Sequence, residues 1–363
     1  MPIDRRTIIG GGAAALGVAA AVRSWASDPA PAGAWTPLAD MPFRVQEIYP
    51  AAFWRAPADL NKSAAAQRGV LVNAGGLTPS LRFPFNVADA TTIYDPSTNE
   101  WSIGVKLPEP RHHIALIFHS GALYALSGFR RNFGGGWQMQ STLWRIDDPA
   151  SGEWAALAPL PAPQAETVAV SIEGRIVVAG GRTPAGDRNK EWEDHADTGR
   201  CWAYDASADA WEERAPLPTA RNSAAGAVLG DVLYVVSGRT VAGGNTPACE
   251  AYDPQEDRWR AIAPLPEPIR QKAPRGQGGL AAAVWNGKIY AFGGEWFADG
   301  GGGVYADAWE YDPREDKWRA VAAMTRPRHG LGAVALEDGV YVAGGALGPS
   351  AARTSAYLDR FAI

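Results

Sequence analysis

The sequence predicts an all-β fold: six four-stranded antiparallel sheets closed into a ring. Three observations carry that reading. First, a small-Gly pair ends an apolar run six times, at Gly75-Gly76, Ser127-Gly128, Gly180-Gly181, Ser237-Gly238, Gly293-Gly294 and Gly344-Gly345, with the second members 52, 53, 57, 56 and 51 residues apart. Second, each of the first five pairs is followed by a Tyr-Asp or Ile-Asp turn and then by a tryptophan: Trp101, Trp154, Trp211, Trp259 or Trp318. Third, 41 Gly, 28 Pro and 15 Trp among 363 residues suit short strands and tight turns better than long helices.

From the N-terminus, Asp4-Arg5-Arg6-Thr7 leads into an apolar, small-residue run from Ile8 to Val22, then Arg23-Ser24-Trp25-Ala26. A basic start, an apolar middle too short to span a bilayer and a small-x-small end predict a cleavable signal over residues 1–26. The paired arginines resemble a twin-arginine export signal, which implies a periplasmic or secreted protein with no stable membrane insertion after cleavage. Residues 27–34 read as a linker, and the ring occupies 35–363. With a net charge of −5, nucleic acid is not an expected partner.

Each repeat reads as four strands, a to d. Runs such as Val70-Leu71-Val72, Ile176-Val177-Val178 and Ile289-Tyr290-Ala291-Phe292 are strand b. Turns such as Gly230-Asp231 and Asn286-Gly287 precede it, so strand a lies one hairpin upstream. Strand c ends in Tyr94-Asp95-Pro96, Ile146-Asp147-Asp148-Pro149, Tyr204-Asp205, Tyr252-Asp253-Pro254 or Tyr311-Asp312-Pro313, and Asp-Pro turns the chain into the tryptophan-bearing strand d. The sixth repeat is split. Tyr357-Leu358-Asp359-Arg360-Phe361 supplies its strand c, and its tryptophan is Trp35, near the other end of the chain. Pairing those two segments closes the ring and leaves no long edge. The six repeat tryptophans are expected to pack between blades. Cys201 and Cys249 hold equivalent places in adjacent blades, too far apart for a bridge, and are expected as free thiols.

The Gly pair, the Tyr-Asp-Pro turn and the tryptophan at a period of about 50 resemble the kelch repeat, and six copies over residues 35–361 resemble a six-bladed kelch β-propeller. The resemblance implies function on the face that carries the b–c and d–a loops. The d–a junctions contain Arg44, Arg111, Gln164, Arg221, Arg270 or Arg275, and Arg328, while the b–c loops open with Leu77, Phe129, Arg182, Arg239, Glu295 and Ala346. So many arginines on an acidic chain suit an anionic ligand, because planar guanidinium forks pair with carboxylate or phosphate. The competing reading has the same arginines bonding carbonyls and acids between blades. Kelch propellers bind acidic peptides or sugar acids at this rim, so the resemblance implies an anionic small molecule, sugar acid or acidic peptide.

His112 and His113 follow Arg111, and His329 follows Arg328, placing three imidazoles suited to general-base work near that face. Trp137 and Trp296, in b–c loops, suit stacking on a ligand ring. Glu295, directly after Gly293-Gly294, is similar to the glutamate of exported sialic acid mutarotases, although its own loop, Trp296 to Asp307, lacks the arginine of that family. Glu295 with Arg239 or Arg328 from other blades would form the catalytic set of a mutarotase or epimerase. No cofactor and no metal is expected: Glu193-x₃-Asp197-x₃-Cys201 resembles the iron site of plant nitrile-specifier proteins, but a cysteine replaces the third ligand, a histidine. A further reading is a protein–protein scaffold using the insertion at 55–68 on the opposite face.

Overall fold

The computed structural model describes residues 31–54, 69–81, 85–132, 136–270, 272–350 and 353–363. The expected signal over 1–26 and the insertion at 55–68 lie outside the described residues. What is described is all-β: six four-stranded antiparallel sheets, four short b–c hairpins and a single 3-10 turn at Trp192–Asp194. No helix among the described residues is long and apolar enough to cross a membrane.

Blade 4 shows the unit. Strands a (Ala225–Leu229), b (Val232–Val236), c (Cys249–Asp253) and d (Arg258–Ile262) pair in that order. Strand a of every blade lines the axis, around a channel cavity of about 90 Å³ whose wall includes Tyr49, Ala115, Val168, Ala225, Ala281 and Gly332. Crowding at the axis selects small residues. A Cβ on Gly332 would sit 1.9 Å from the Pro50 ring, and one on Gly226 would sit 2.1 Å from Val168. Six large apolar clusters lie between the blades, each shared by two neighbours and one of them joining blade 6 to blade 1, and a small seventh gathers Phe129, Met139 and Ala165.

The ring closes as expected. The N-terminal strand Ala34–Pro37 pairs with the C-terminal strand Leu358–Ala362, in register Ala34 with Ala362 and Pro37 with Asp359. Trp35 packs its ring 5.2 Å from Phe292 and 5.1 Å from Phe361. Its indole donates to the Ala322 carbonyl at 2.8 Å.

Four other tryptophans repeat that contact. Trp101, Trp211, Trp259 and Trp318 donate to the carbonyls of Ala39, Ala158, Ala215 and Ala263, each on the preceding blade, at 2.7–2.9 Å. Two residues before each of these tryptophans stands Asn99, Asp209, Asp257 or Asp316. Its side-chain oxygen accepts from the tyrosine hydroxyl that ends strand c and from the backbone N–H of the same alanine. Blade 2 departs from the pattern. Its c–d turn is one residue longer and has Gly152 in that place, so the Trp154 indole packs beside the core without a hydrogen-bond partner. Cys201 and Cys249 are both free and buried.

Candidate functional site

Each blade enters strand a through a three-residue step. The first residues are Val45, Arg111, Gln164, Arg221, Gln277 and Arg328; the third are Glu47, His113, Glu166, Ser223, Gly279 and Gly330. All six third residues have positive φ, from 50° at Ser223 to 66° at Gly279. Their backbones link blade to blade around the axis: Glu47 N–H to Gly330 O at 2.7 Å, His113 to Glu47 at 3.0 Å, Ser223 to Glu166 at 3.2 Å, Gly279 to Ser223 at 2.9 Å and Gly330 to Gly279 at 2.9 Å. Glycine adopts this conformation freely, whereas Glu47, His113, Glu166 and Ser223 hold it at a cost of about 1–3 kcal/mol each. Side chains retained against that cost, in four successive blades, mark a site. The middle residue of each step bridges the residue after the Gly pair, as in Asn222 with Arg239 and Gly278 with Glu295. Third-step residues and post-pair residues are thereby set side by side at one mouth of the channel.

Their side chains form a connected polar floor. Glu295 Oε1 accepts from Arg239 Nη1, and its Oε2 accepts from the Ser350 backbone N–H at 2.7 Å. Arg239 also donates through Nε to Asn222 Oδ1 at 3.3 Å and brings Nη2 within 3.7 Å of Glu166 Oε2. Glu166 accepts from the Ser223 hydroxyl and lies 3.3 Å from Arg182 Nε. His113 Nε2 stands 2.8 Å from Glu47 Oε2, and His329 Nδ1 stands 3.5 Å from Glu295 and 3.7 Å from Glu47. Every one of these carboxyls is at most 11% exposed at its side chain. Burial pushes the Glu47 carboxyl up, but the charge and hydrogen bond of His113, with His329 and Arg239, outweigh it and bring it down to about 2. Burial likewise opposes ionisation of Glu166, and Arg182, His113 and Arg239 together hold it below the ordinary carboxylate range.

Above the floor the cavity opens to about 400 Å³, with Leu77, Phe85, Trp137, Trp192 and Phe297 as apolar walls. Trp192 sits on the 3-10 turn of the blade-3 loop and lies 3.4 Å from the Arg182 guanidinium, ring centroid to Cζ. That loop is tied to blade 2 by reciprocal bonds between Asn189 and the Met139 backbone. The cavity thus sets charged and hydrogen-bonding groups beneath apolar and aromatic surface.

Residues 132–345, more than half of the chain, match the KLHDC2/KLHL20/DRC7 Kelch-repeats domain. The chain belongs to the Kelch-repeat family. It is 24% identical to Kelch-like protein terF of Aspergillus terreus over 281 residues, 75% of this chain and 58% of that protein. It is 30% identical to Kelch-like protein 25 of Xenopus tropicalis over 220 residues, 58% of this chain and 34% of that one. It is 26% identical to beta-scruin of Limulus polyphemus over 287 residues, 76% of this chain and 29% of that one. The chain thus spans less than two thirds of the length of each of these relatives. Among solved structures, YjhT shares the fold with a TM-score of 0.67 at 17% identity, over 88% of this chain and 96% of that one.

Against this Kelch frame the rim arginines need correcting. Arg111, Arg221 and Arg328 do not converge on the mouth; as first-step residues they turn into their own blades and are fully buried. Arg221 bonds Glu250 and the Ser237 and Val235 carbonyls, and Arg328 bonds Asp359 at 2.8 Å and the Val342 carbonyl at 3.2 Å. Arg111 bonds Glu109 and the Pro110 carbonyl and lies over the Trp144 ring. Carbonyls at the end of strand b lie there, and the guanidinium forks of Arg221 and Arg328 meet them. Arg328 therefore cannot serve Glu295. Arg44 is exposed one residue before the step, Arg270 is exposed, and Arg275 donates to the Leu265 carbonyl at 2.7 Å.

Of the expected residues, the structure brings Glu295, Arg239, Arg182, His112, His113, His329 and Trp137 to the floor and walls. Trp296 faces away from the cavity, against Gly303, and its neighbour Phe297 takes the wall position, because successive strand residues point to opposite faces. In the blade-3 loop, Glu193 is exposed, Asp197 accepts from Asn222 and the Val241 N–H, and Cys201 is buried in the core. Among the described residues no group of three or more His, Cys, Asp or Glu is arranged to hold a metal ion. Sequence reasoning passed over Glu47, Glu166, Trp192 and Phe85.

Proposed function

We propose that the channel mouth binds a small, hydroxyl-rich ring compound: a sugar or a sugar acid. The observation that carries this reading is the convergence of Glu47, Glu166 and Glu295 with Arg239 beneath apolar and aromatic walls. Carboxylates accept hydrogen bonds from ring hydroxyls, and aromatic faces cover C–H surface. Three carboxylates against Arg182 and Arg239 leave no surplus positive charge, so hydroxyl recognition rather than bulk attraction of an anion sets the preference. A carboxylate on the ring would have to meet Arg239. The volume suits a monosaccharide better than a peptide.

Calorimetric titration with neutral hexoses, hexuronic acids and N-acetylneuraminate tests this. Saturable binding by at least one, weakened tenfold or more in Glu295→Gln, is expected; no heat with any of them overturns it. A second reading, sugar mutarotation, is favoured by the direct Arg239–Glu295 contact. A carboxylate and a guanidinium side by side are the pair that proton transfer at an anomeric hydroxyl would use. We further propose that the protein acts outside the cytoplasm, on the strength of Arg5-Arg6 and the apolar run after them. Replacing both arginines by lysine should leave the protein in the cytoplasm, and unchanged delivery would reject twin-arginine export.

A further inference from the structure

The wall above the floor is uneven. Blades 1, 2, 3 and 5 raise two-stranded b–c hairpins around the cavity. Blade 6 fills its place with Ser350, which lines the cavity and donates its N–H to Glu295 at 2.7 Å. Blade 4 raises nothing. Its chain crosses from strand b to strand c in one tight turn, with Arg239 bridging Asn245 and the Thr240 N–H donating to Gly244 O at 3.1 Å. From this blade only Arg239, on the floor, lines the cavity. A Cβ on Gly243 or Gly244 would meet no atom within 4 Å, so the space beside the turn is open among the described residues. The cavity therefore has a low side at blade 4.

In ring order, two aromatic residues flank this notch: Trp192 from blade 3 and Phe297 from blade 5. Both line the cavity, and both extend out of it, being 39% and 50% exposed. Of the exposed large apolar side chains among the described residues, these are the two that line the cavity. Each is seated from behind. Trp192 lies on the Arg182 guanidinium. Phe297 pairs across the hairpin with Gly302, where a Cβ would come 3.3 Å from its ring. The partner strand therefore supports Phe297 without covering it. Phe297 also stands two residues beyond Glu295 on the same strand face, about 7 Å further along the strand. A sugar ring bonded to Glu295 thus leaves exposed aromatic surface one strand step further out, at the open side.

We propose that the mouth takes the end of an oligosaccharide chain, with the terminal ring on the floor and the next ring in the notch over blade 4, its C–H face against Phe297 and Trp192. These two aromatics are the residues that determine specificity for chain length. The inference rests on the sugar reading of the mouth and deepens it. The floor carboxylates recognise the hydroxyls of one ring; a lone ring would leave both aromatic faces in water and make no use of the low side.

Calorimetry on the full chain tests this with the monomer, dimer and trimer of one ring: glucose with cellobiose and cellotriose, galacturonate with its dimer and trimer, and N-acetylneuraminate with its dimer and trimer. In the series that binds, the dimer should bind about tenfold or more tighter than the monomer, as two aromatic contacts allow. The trimer should bind no more weakly than the dimer, because the chain leaves through the notch. Phe297→Ala, melting as the wild type does, should lower the dimer-to-monomer ratio about threefold or more with the monomer affinity unmoved. Glu295→Gln should weaken monomer and dimer alike. Equal affinity for monomer and dimer, refusal of the trimer, or a ratio unmoved by Phe297→Ala overturns the chain-end proposal and leaves the site reading standing. No heat with any monomer, dimer or trimer sinks the site reading and the chain-end proposal with it.

Discussion

Glu47 is held ionised by its neighbours rather than by water, which couples the mouth to acid stability. His113, His329 and Arg239 face it, and they bring its folded value below the ordinary 4.5, to about 2. A depressed carboxyl stabilises the fold fully above its unfolded value and loses that contribution as pH falls through its folded value. Denaturant melts of the wild type should therefore weaken between pH 4.5 and about 2 more steeply than those of Glu47→Gln. Equal slopes would mean that Glu47 does not carry the effect. The buried arginines make the complementary case. Arg221→Ala strands Glu250 without its partner and should cost about 3–5 kcal/mol, read as a lower melting temperature, while affinity at the mouth stays unchanged. The site was half legible in the sequence. Glu295 and Arg239 could be found because they follow the Gly pairs directly. Glu47 and Glu166 were hidden because the conspicuous residue of the step is its first, an arginine by type, whereas the functional position is its third. The readable signal was Gly279 and Gly330. Where two blades have glycine and two have glutamate, the backbone is in a conformation that glutamate does not choose for itself.

Between neighbouring blades the recurring device is a two-point strap. An Asn or Asp oxygen takes one alanine's N–H, and a tryptophan indole, two residues on, gives to the same alanine's carbonyl. Asp257→Ala removes the bonds to Tyr252 and Ala215 and should cost about 1–3 kcal/mol, at roughly 0.5–1.5 per bond. Asp257→Asn should be close to the wild type, because Asn99 already does this work in blade 1. Thermal melts of the two variants check both, and equal losses would show that charge rather than the shared acceptor matters. Strand positions and the closing blade were legible because the Gly pair repeats six times and the turn chemistry five. The strap was legible as Asp-x-Trp and was missed because the tryptophan, by size, drew the packing explanation alone. The b–c hairpins, such as Phe129–Arg131 with Trp137–Met139, were unreadable as strands. Each is three or four residues long and no two share a sequence.

At the scale of the whole molecule, one terminal strand completes the ring. A chain beginning at Pro42 would lack Trp35 and leave Leu358–Ala362 with a bare edge, and it should lose at least about 3–5 kcal/mol, the usual cost of removing a large core aromatic. A melting temperature equal to that of the full chain would show that the ring holds without the strand. The same pairing has a consequence in time. Ala34 and its partner Ala362 stand at opposite ends of the ring's sequence, and the partner is synthesised after the other blades. At about 5–20 residues per second on the ribosome, the first strand waits on the order of a minute or less for its neighbour to emerge. Five blades can assemble as an open arc in that interval, but the sixth cannot. The arc's two ends are apolar faces awaiting each other, so the species most exposed to aggregation is a nearly finished ring, one strand short of closure.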